Sequence, residues 1–161
     1  MQTIIITSNT SWYLYNFRKN TIKALLSEGY KVVAVAPQDA HSQKLQELGA
    51  EYQHIAIDQG GTNPVNDIDT FFSFVNLYRK IRPAAVLNFT PKNNIYSTLA
   101  ASLFGVKSIN NIAGLGMVFI NENLTAKLAC FLYKISQHVL PYLFTGSKSV
   151  WHHRIDCKRS I

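Results

Sequence analysis

Two runs near the start of the chain, Thr3 to Thr7 (TIIIT) and Lys31 to Ala36 (KVVAVA), are apolar without the alternation of a strand that has one wet face. Such β-branched runs suit strands of a parallel sheet, buried on both sides, and parallel neighbours need a crossover between them. The intervening residues supply it. Phe17, Ile22, Leu25 and Leu26 recur near helical spacing over Asn16 to Glu28, and Gly29 stands where a helix would stop. Pro37 closes the second strand, completing one β-α-β unit.

The alternation repeats. Ser42 to Leu48 reads as a short helix closed by Gly49, and Tyr52 to Ile57 as a weak strand. Gly60 to Asn66 reads as a loop, because Gly60, Gly61, Asn63 and Pro64 break regular structure. Asp67 to Lys80 is amphipathic, with Asn66 or Asp67 as its cap and Phe71, Phe74, Val75 and Tyr78 inward. A strand over Ala84 to Asn88, a helix over Asn93 to Phe104 and a strand over Val106 to Ile109 follow, then a long apolar helix from Leu124 to Leu140.

This pattern predicts an α/β fold: a Rossmann-like, doubly wound, mainly parallel sheet with helices on both faces. The 161 residues allow one core. That domain is expected over residues 1–140, with an irregular basic tail over 141–161. Ligands of such sheets gather beyond the carboxyl ends of the strands. The loops in question are Ser8 to Tyr15, Pro37 to Ala40, Ile57 to Asn66, Phe89 to Asn94 and Asn110 to Met117.

Composition narrows the partners. With 47% hydrophobic and 16% charged residues the chain is a globule, and its net charge of +7 favours anionic surroundings. The basic residues do not cluster on one helix, and Lys148, Arg154, Lys158 and Arg159 fall in the tail, so no nucleic-acid partner is expected. Cys130 and Cys157 stand apart without a CxxC pattern and read as reduced thiols of a cytosolic protein. His41, His54 and His138 are scattered, and the adjacent pair His152 and His153 lacks further ligands, so no metal is expected. No Ser/His/Asp set or carboxylate pair stands out. Met1 to Ser8 leads straight into a core strand, which argues against a signal peptide.

The loop after the first strand lacks the GxGxxG of a dinucleotide site, which argues against a nicotinamide dehydrogenase. It holds Asn9, Trp12, Tyr15, Asn16 and Arg18 instead. Aromatic and polar groups opening a helix suit a sugar or lipid-phosphate acceptor, with Arg18 near a helix N-terminus that already favours anions. Equally, Trp12, Tyr15 and Phe17 could simply pack the loop down. Lys92, with Asn93 and Asn94, opens a later helix and is either a phosphate contact or a solvated charge. Gly114 and Gly116 follow a strand, where they allow a close backbone approach to a ligand or an ordinary tight turn.

Taken in order, NTSWYLYNFR, VVAVAPQD with QKLQELG, GTNPVND, TPKNNIYSTLAA and NIAGLGMVF resemble the N-terminal domain of the family 4 glycosyltransferases of bacterial surface-polysaccharide and glycan synthesis, over about residues 3–140. The resemblance implies the N-terminal half of a GT-B enzyme, with its active site in a cleft between two Rossmann-like domains. That half receives the acceptor, often a polyprenyl-diphosphate-linked sugar at the membrane face. The other half binds the nucleotide-sugar donor, which is a co-substrate; no cofactor is implied, and transfer is usually retaining and metal-free. The acceptor-side positions map to Asn9 through Arg18, Lys92 to Asn94, and Gly114 to Gly116. Gln59 and Gly60 stand where relatives often carry a basic residue.

Phe144 to Ile161 (FTGSKSVWHHRIDCKRSI) departs from the family's continuation, and a shifted reading frame would restore a better one. The expectation is therefore a truncated chain without a donor site, inactive alone, cytoplasmic or peripheral on the inner face of the cytoplasmic membrane. The alternative is a stand-alone acceptor subunit that pairs with a separately encoded donor domain. In that case Leu124 to Leu140 would dock on the partner or the membrane.

Overall fold

The computed structural model describes residues 1–58, 64–111 and 143–144. Its elements are β1 (Thr3–Thr7), α1 (Ser11–Ser27), β2 (Lys31–Ala36), α2 (Ser42–Glu47), β3 (Glu51–His54), α3 (Pro64–Ile81), β4 (Ala85–Asn88), α4 (Pro91–Ser102), β5 (Lys107–Asn111) and β6 (Leu143–Phe144). The six strands form one sheet in the order β3-β2-β1-β4-β5-β6. Every neighbouring pair is parallel. The chain winds outward from β1 to β3, then returns to β4 on the other side of β1. The strand order therefore reverses between β1 and β4, and a crevice opens at their carboxyl ends.

Successive strand residues feed opposite faces. Ile5, Val33, Val35 and Val86 join Phe74, Leu77, Tyr78, Ala100 and Ala101 from α3 and α4. On the other face Ile6, Val32, Ala34 and Ala36 join Leu14, Ile22 and Leu45 from α1 and α2. The helices expected to close at Gly29 and Gly49 do so. Gly29 (φ 81°) and Gly49 (φ 97°) take the left-handed conformation. The next amides, Tyr30 N and Ala50 N, reach back to Leu25 O and Leu45 O, satisfying carbonyls that a helix end leaves open.

Helix starts fall earlier than periodicity places them. α1 begins at Ser11 rather than Asn16, because Thr10 Oγ1 accepts from Tyr13 N at 3.0 Å and Asp39 Oδ2 accepts from Trp12 N at 2.8 Å. The aromatic loop thus shrinks to Ser8–Thr10. α3 begins at Pro64, not Asp67, and α4 at Pro91, not Asn93, since proline has no N–H to lose in a first turn. Asn66 and Asp67 are accordingly inside α3 rather than its cap. β3 is shorter than Tyr52 to Ile57, and β5 extends two residues past Ile109. Leu143–Phe144 pairs with Asn110 and Asn111, so the sheet takes a strand from within the segment read as an irregular tail. The helix expected over Leu124 to Leu140 lies outside the described residues, as do Cys130, Cys157, His138, His152 and His153.

Beneath β4 and β5 the interior turns polar. Asn88 Nδ2 donates to Asn110 Oδ1 (2.7 Å), Ser108 Oγ (2.8 Å) and Thr98 Oγ1 (3.3 Å), while its Oδ1 accepts from Ser97 Oγ at 2.6 Å. Ser97 also shares a hydrogen bond with the fully buried Tyr78 hydroxyl. Burial holds the Tyr78 phenol well above the ordinary tyrosine range, and the Ser97 bond opposes this only in part. Tyr96 shifts the same way, by burial and then by its bond to and the charge of Asp67. Both groups stay neutral in the fold, whereas the unfolded chain releases its phenol protons near pH 10. Their contribution is complete below about pH 10 and is lost as pH rises beyond it. The urea midpoint should therefore fall above pH 10, and less steeply in Tyr78→Phe. An unchanged alkaline slope in that variant would contradict the assignment to Tyr78.

Candidate functional site

At the switch point two short loops face each other, Ser8–Thr10 after β1 and Phe89–Thr90 after β4. They are stapled by side chains. Asn9 N donates to Thr90 Oγ1 at 3.1 Å, and Thr90 Oγ1 donates to Asn93 Oδ1 at 2.7 Å. Asn93 Nδ2 donates in turn to Thr7 Oγ1. Asn93 is fully buried, and the staple fixes the floor of the crevice.

Beside this floor sits Arg18. Its Nη2 donates to the Tyr13 hydroxyl at 3.1 Å, and its guanidinium carbon lies 4.2 Å from the Phe89 ring centroid and 5.7 Å from that of Tyr13. Nε is buried and finds no acceptor among the described residues. Periodicity puts Phe17 inward, but Phe17 is 59% exposed and the partly buried Arg18 takes the inner position. An arginine can do this because its stem packs like an aliphatic chain and its planar head stacks on aromatic faces. A buried N–H without an acceptor still costs about 1–3 kcal/mol. A helix that turns a cation inward and a phenylalanine outward breaks its own pattern, as functional surfaces do.

Arg18 is not at a helix N-terminus; with α1 starting at Ser11 it lies two turns in. The end of α1 already holds an anion, because the Asp39 carboxylate caps it through Trp12 N. Asp39 also accepts from His41 N at 2.7 Å, and Asp39 N donates to Ser42 Oγ, tying α1 to the β2–α2 turn. Trp12 stands exposed on the outer side of α1. Asn16 is exposed too, its amide donating to Trp12 O. Tyr15 packs against the His41 ring with Lys19 and Lys44 near its face, on the β2 side and away from the crevice.

Lys92 is in the first turn of α4, as expected, but it is no free charge. Its Nζ lies 2.7 Å from Asp67 Oδ1, with the two side chains 21% and 18% exposed. The pair clamps α3 to α4. Asn94 is buried, donating to Asn111 O at 3.1 Å, and Asn110 Nδ2 donates to Asn94 O at 3.4 Å. The structure thus brings Asn9, Arg18 and Asn93 together around the β1–β4 crevice and sets Tyr15 apart. Gly114 and Gly116 lie outside the described residues. Sequence reasoning takes in Tyr13, Phe89 and Thr90 only as members of candidate loops, without singling them out, and passes over Thr7. An available signal is that Phe89 and Thr90 directly follow a strand at the reversal, once the strand order is known.

An all-parallel doubly wound sheet with its crevice at the β1–β4 reversal is a Rossmann-like domain. The chain belongs to the glycosyl transferase 4-like family, whose family model matches residues 3–144. It is 28% identical over 128 residues to the N,N'-diacetylbacillosaminyl-diphospho-undecaprenol alpha-1,3-N-acetylgalactosaminyltransferase of Campylobacter jejuni, covering 76% of this chain and 34% of that protein. The present chain thus spans about a third of that relative's length. Among solved structures, MurG of Acinetobacter baumannii superposes with a TM-score of 0.65 at 14% identity, covering 96% of this chain and 44% of that one. The UDP-GlcNAc 2-epimerase of Methanocaldococcus jannaschii superposes with a TM-score of 0.57 at 17% identity, covering 91% and 40%. These likenesses establish the fold alone, since transferase and epimerase share it.

Proposed function

We propose that this chain is the acceptor-binding half of a glycosyltransferase that moves a sugar from a nucleotide-sugar to a polyprenyl-diphosphate-linked glycan. The observation that carries the reading is Arg18, turned inward at the strand-order reversal and held between Tyr13 and Phe89. A guanidinium so fixed suits a diphosphate, which it meets with planar, charge-assisted donors. The name of the Campylobacter relative, which includes a diphospho-undecaprenol, supports the same ligand class. Asn9, Asn93 and Asn94 shape the loops around the acceptor, Lys92 holds α4 in place through Asp67, and Trp12 and Asn16 line the approach along α1. In transfer the acceptor hydroxyl bonds to the anomeric carbon as the bond to the nucleoside diphosphate breaks. The donor would be held by sequence of the kind that extends the relatives beyond the matched region. The working location is the inner face of the cytoplasmic membrane, where such lipids are met; no described helix is long and apolar enough to cross a membrane.

The test is co-sedimentation of the purified chain with liposomes containing a polyprenyl-diphosphate sugar, against the same liposomes without it. Binding should depend on the lipid-linked sugar, and the 161 residues should turn over no nucleotide-sugar by themselves. Equal sedimentation with both preparations would refute the acceptor reading. Turnover would refute the division of labour.

A further inference from the structure

The rings of α1 and of the β4–α4 turn form a continuous file. Trp12 meets Phe17 edge-on with centroids 5.5 Å apart, Phe17 meets Tyr13 at 5.1 Å, and Tyr13 meets Phe89 at 6.4 Å. One end is open to solvent, with Trp12 48% and Phe17 59% exposed, and the other end abuts the Arg18 guanidinium. No residue of α1 is acidic, while Arg18, Lys19 and Lys23 are basic. Single exposed apolar side chains need no explanation, but two in contact that lead to a partly buried cation do. The arrangement fits a ligand with an unsaturated apolar tail joined to an anionic head.

We propose that this file seats the isoprene units nearest the diphosphate of the acceptor, tail along Phe17 and Trp12, head toward Arg18. The inference rests on the acceptor reading and adds an orientation to it. A branched, unsaturated chain can lie across several ring faces at once and gain dispersion contacts along its length. A bilayer surface, by contrast, would reach only the two exposed rings and not the inner pair, Tyr13 and Phe89, that flanks the guanidinium.

The test compares two soluble probes, farnesyl diphosphate and inorganic pyrophosphate, by calorimetric titration of the full chain and of the double variant W12A/F17A. Both side chains stand well out of the core, and an unchanged urea midpoint checks that the variant folds. The wild-type chain should bind farnesyl diphosphate more tightly than pyrophosphate. The variant should lose about tenfold in affinity for farnesyl diphosphate, the scale of a few tens of Å² of apolar contact, and keep its pyrophosphate affinity within about twofold. Undiminished farnesyl diphosphate binding by the variant would overturn the inference while leaving the acceptor reading standing. So would a variant that loses only vesicle binding or self-association. If the wild-type chain binds neither probe, the acceptor reading fails and takes this inference with it.

Discussion

Replacing Asn88 by leucine is expected to lower the stability of the domain by about 3–4 kcal/mol, visible as a large drop in urea midpoint. Leucine matches asparagine in branching and in number of side-chain heavy atoms and suits a buried strand, so an apolar interior would accept it with some repacking. Here the amide is the hub of a closed set: it gives its hydrogens to Thr98, Ser108 and Asn110 and receives one from Ser97. All five residues are buried. Their polar atoms would lose a partner with no water to replace it, at about 1–3 kcal/mol for each group left unmatched. The remaining bonds Thr98–Ser108 and Thr98–Asn110, both 3.0 Å, limit the damage to part of that sum. Asn88→Asp should also destabilise, since a carboxylate cannot donate to Asn110 Oδ1. An Asn88→Leu variant within about 1 kcal/mol of wild type would mean that the network contributes packing and little else.

Arg18→Ala should weaken binding of the lipid-linked acceptor by about 10- to 100-fold, the usual worth of a charge-assisted contact. Its effect on the urea midpoint should be small. The substitution removes the stacking on Phe89, but it also removes a buried N–H that has no acceptor among the described residues. Arg18→Lys should recover little of the binding, because an ammonium cannot lie flat on Phe89 while donating to Tyr13 and to the ligand. Acceptor affinity equal to wild type in Arg18→Ala would remove Arg18 from the site. A collapse in stability without a specific loss of binding would make it a structural cation.

The strands around Ile4–Ile6 and Val32–Ala36 are legible in the sequence because burial on both faces demands uninterrupted apolar residues, a local property. Gly29 and Gly49 are legible as helix ends for the same reason: the left-handed conformation constrains one residue type at one position. The start of α1 is not, because Asp39, which caps it, comes from another turn. The state of Lys92 is hidden likewise, since its partner Asp67 lies on another helix. Hydrophobic counting also misplaces Phe17, because periodicity assumes that every apolar side chain seeks the core. Arg18 stands out in the sequence, but for a helix-end reason that the structure does not support. Phe89 needs the strand order before it stands out at all.

The hydrogen-bonded interior has one more consequence, for pairing. β5 (KSINN) holds a single aliphatic residue, so little grease fixes how it lies against β4. Ser108 and Asn110 sit opposite Val86 and Asn88 on one face, while Lys107, Ile109 and Asn111 alternate to the other. A slip of one residue that set Ile109 opposite Asn88 would turn Ile109 and an ammonium group toward the Asn88 amide and cost Thr98 its bonds to Ser108 and Asn110. The strand is thus keyed by matching donors to acceptors rather than by apolar side chains. β6, which pairs with Asn110 and Asn111, inherits its position from that key.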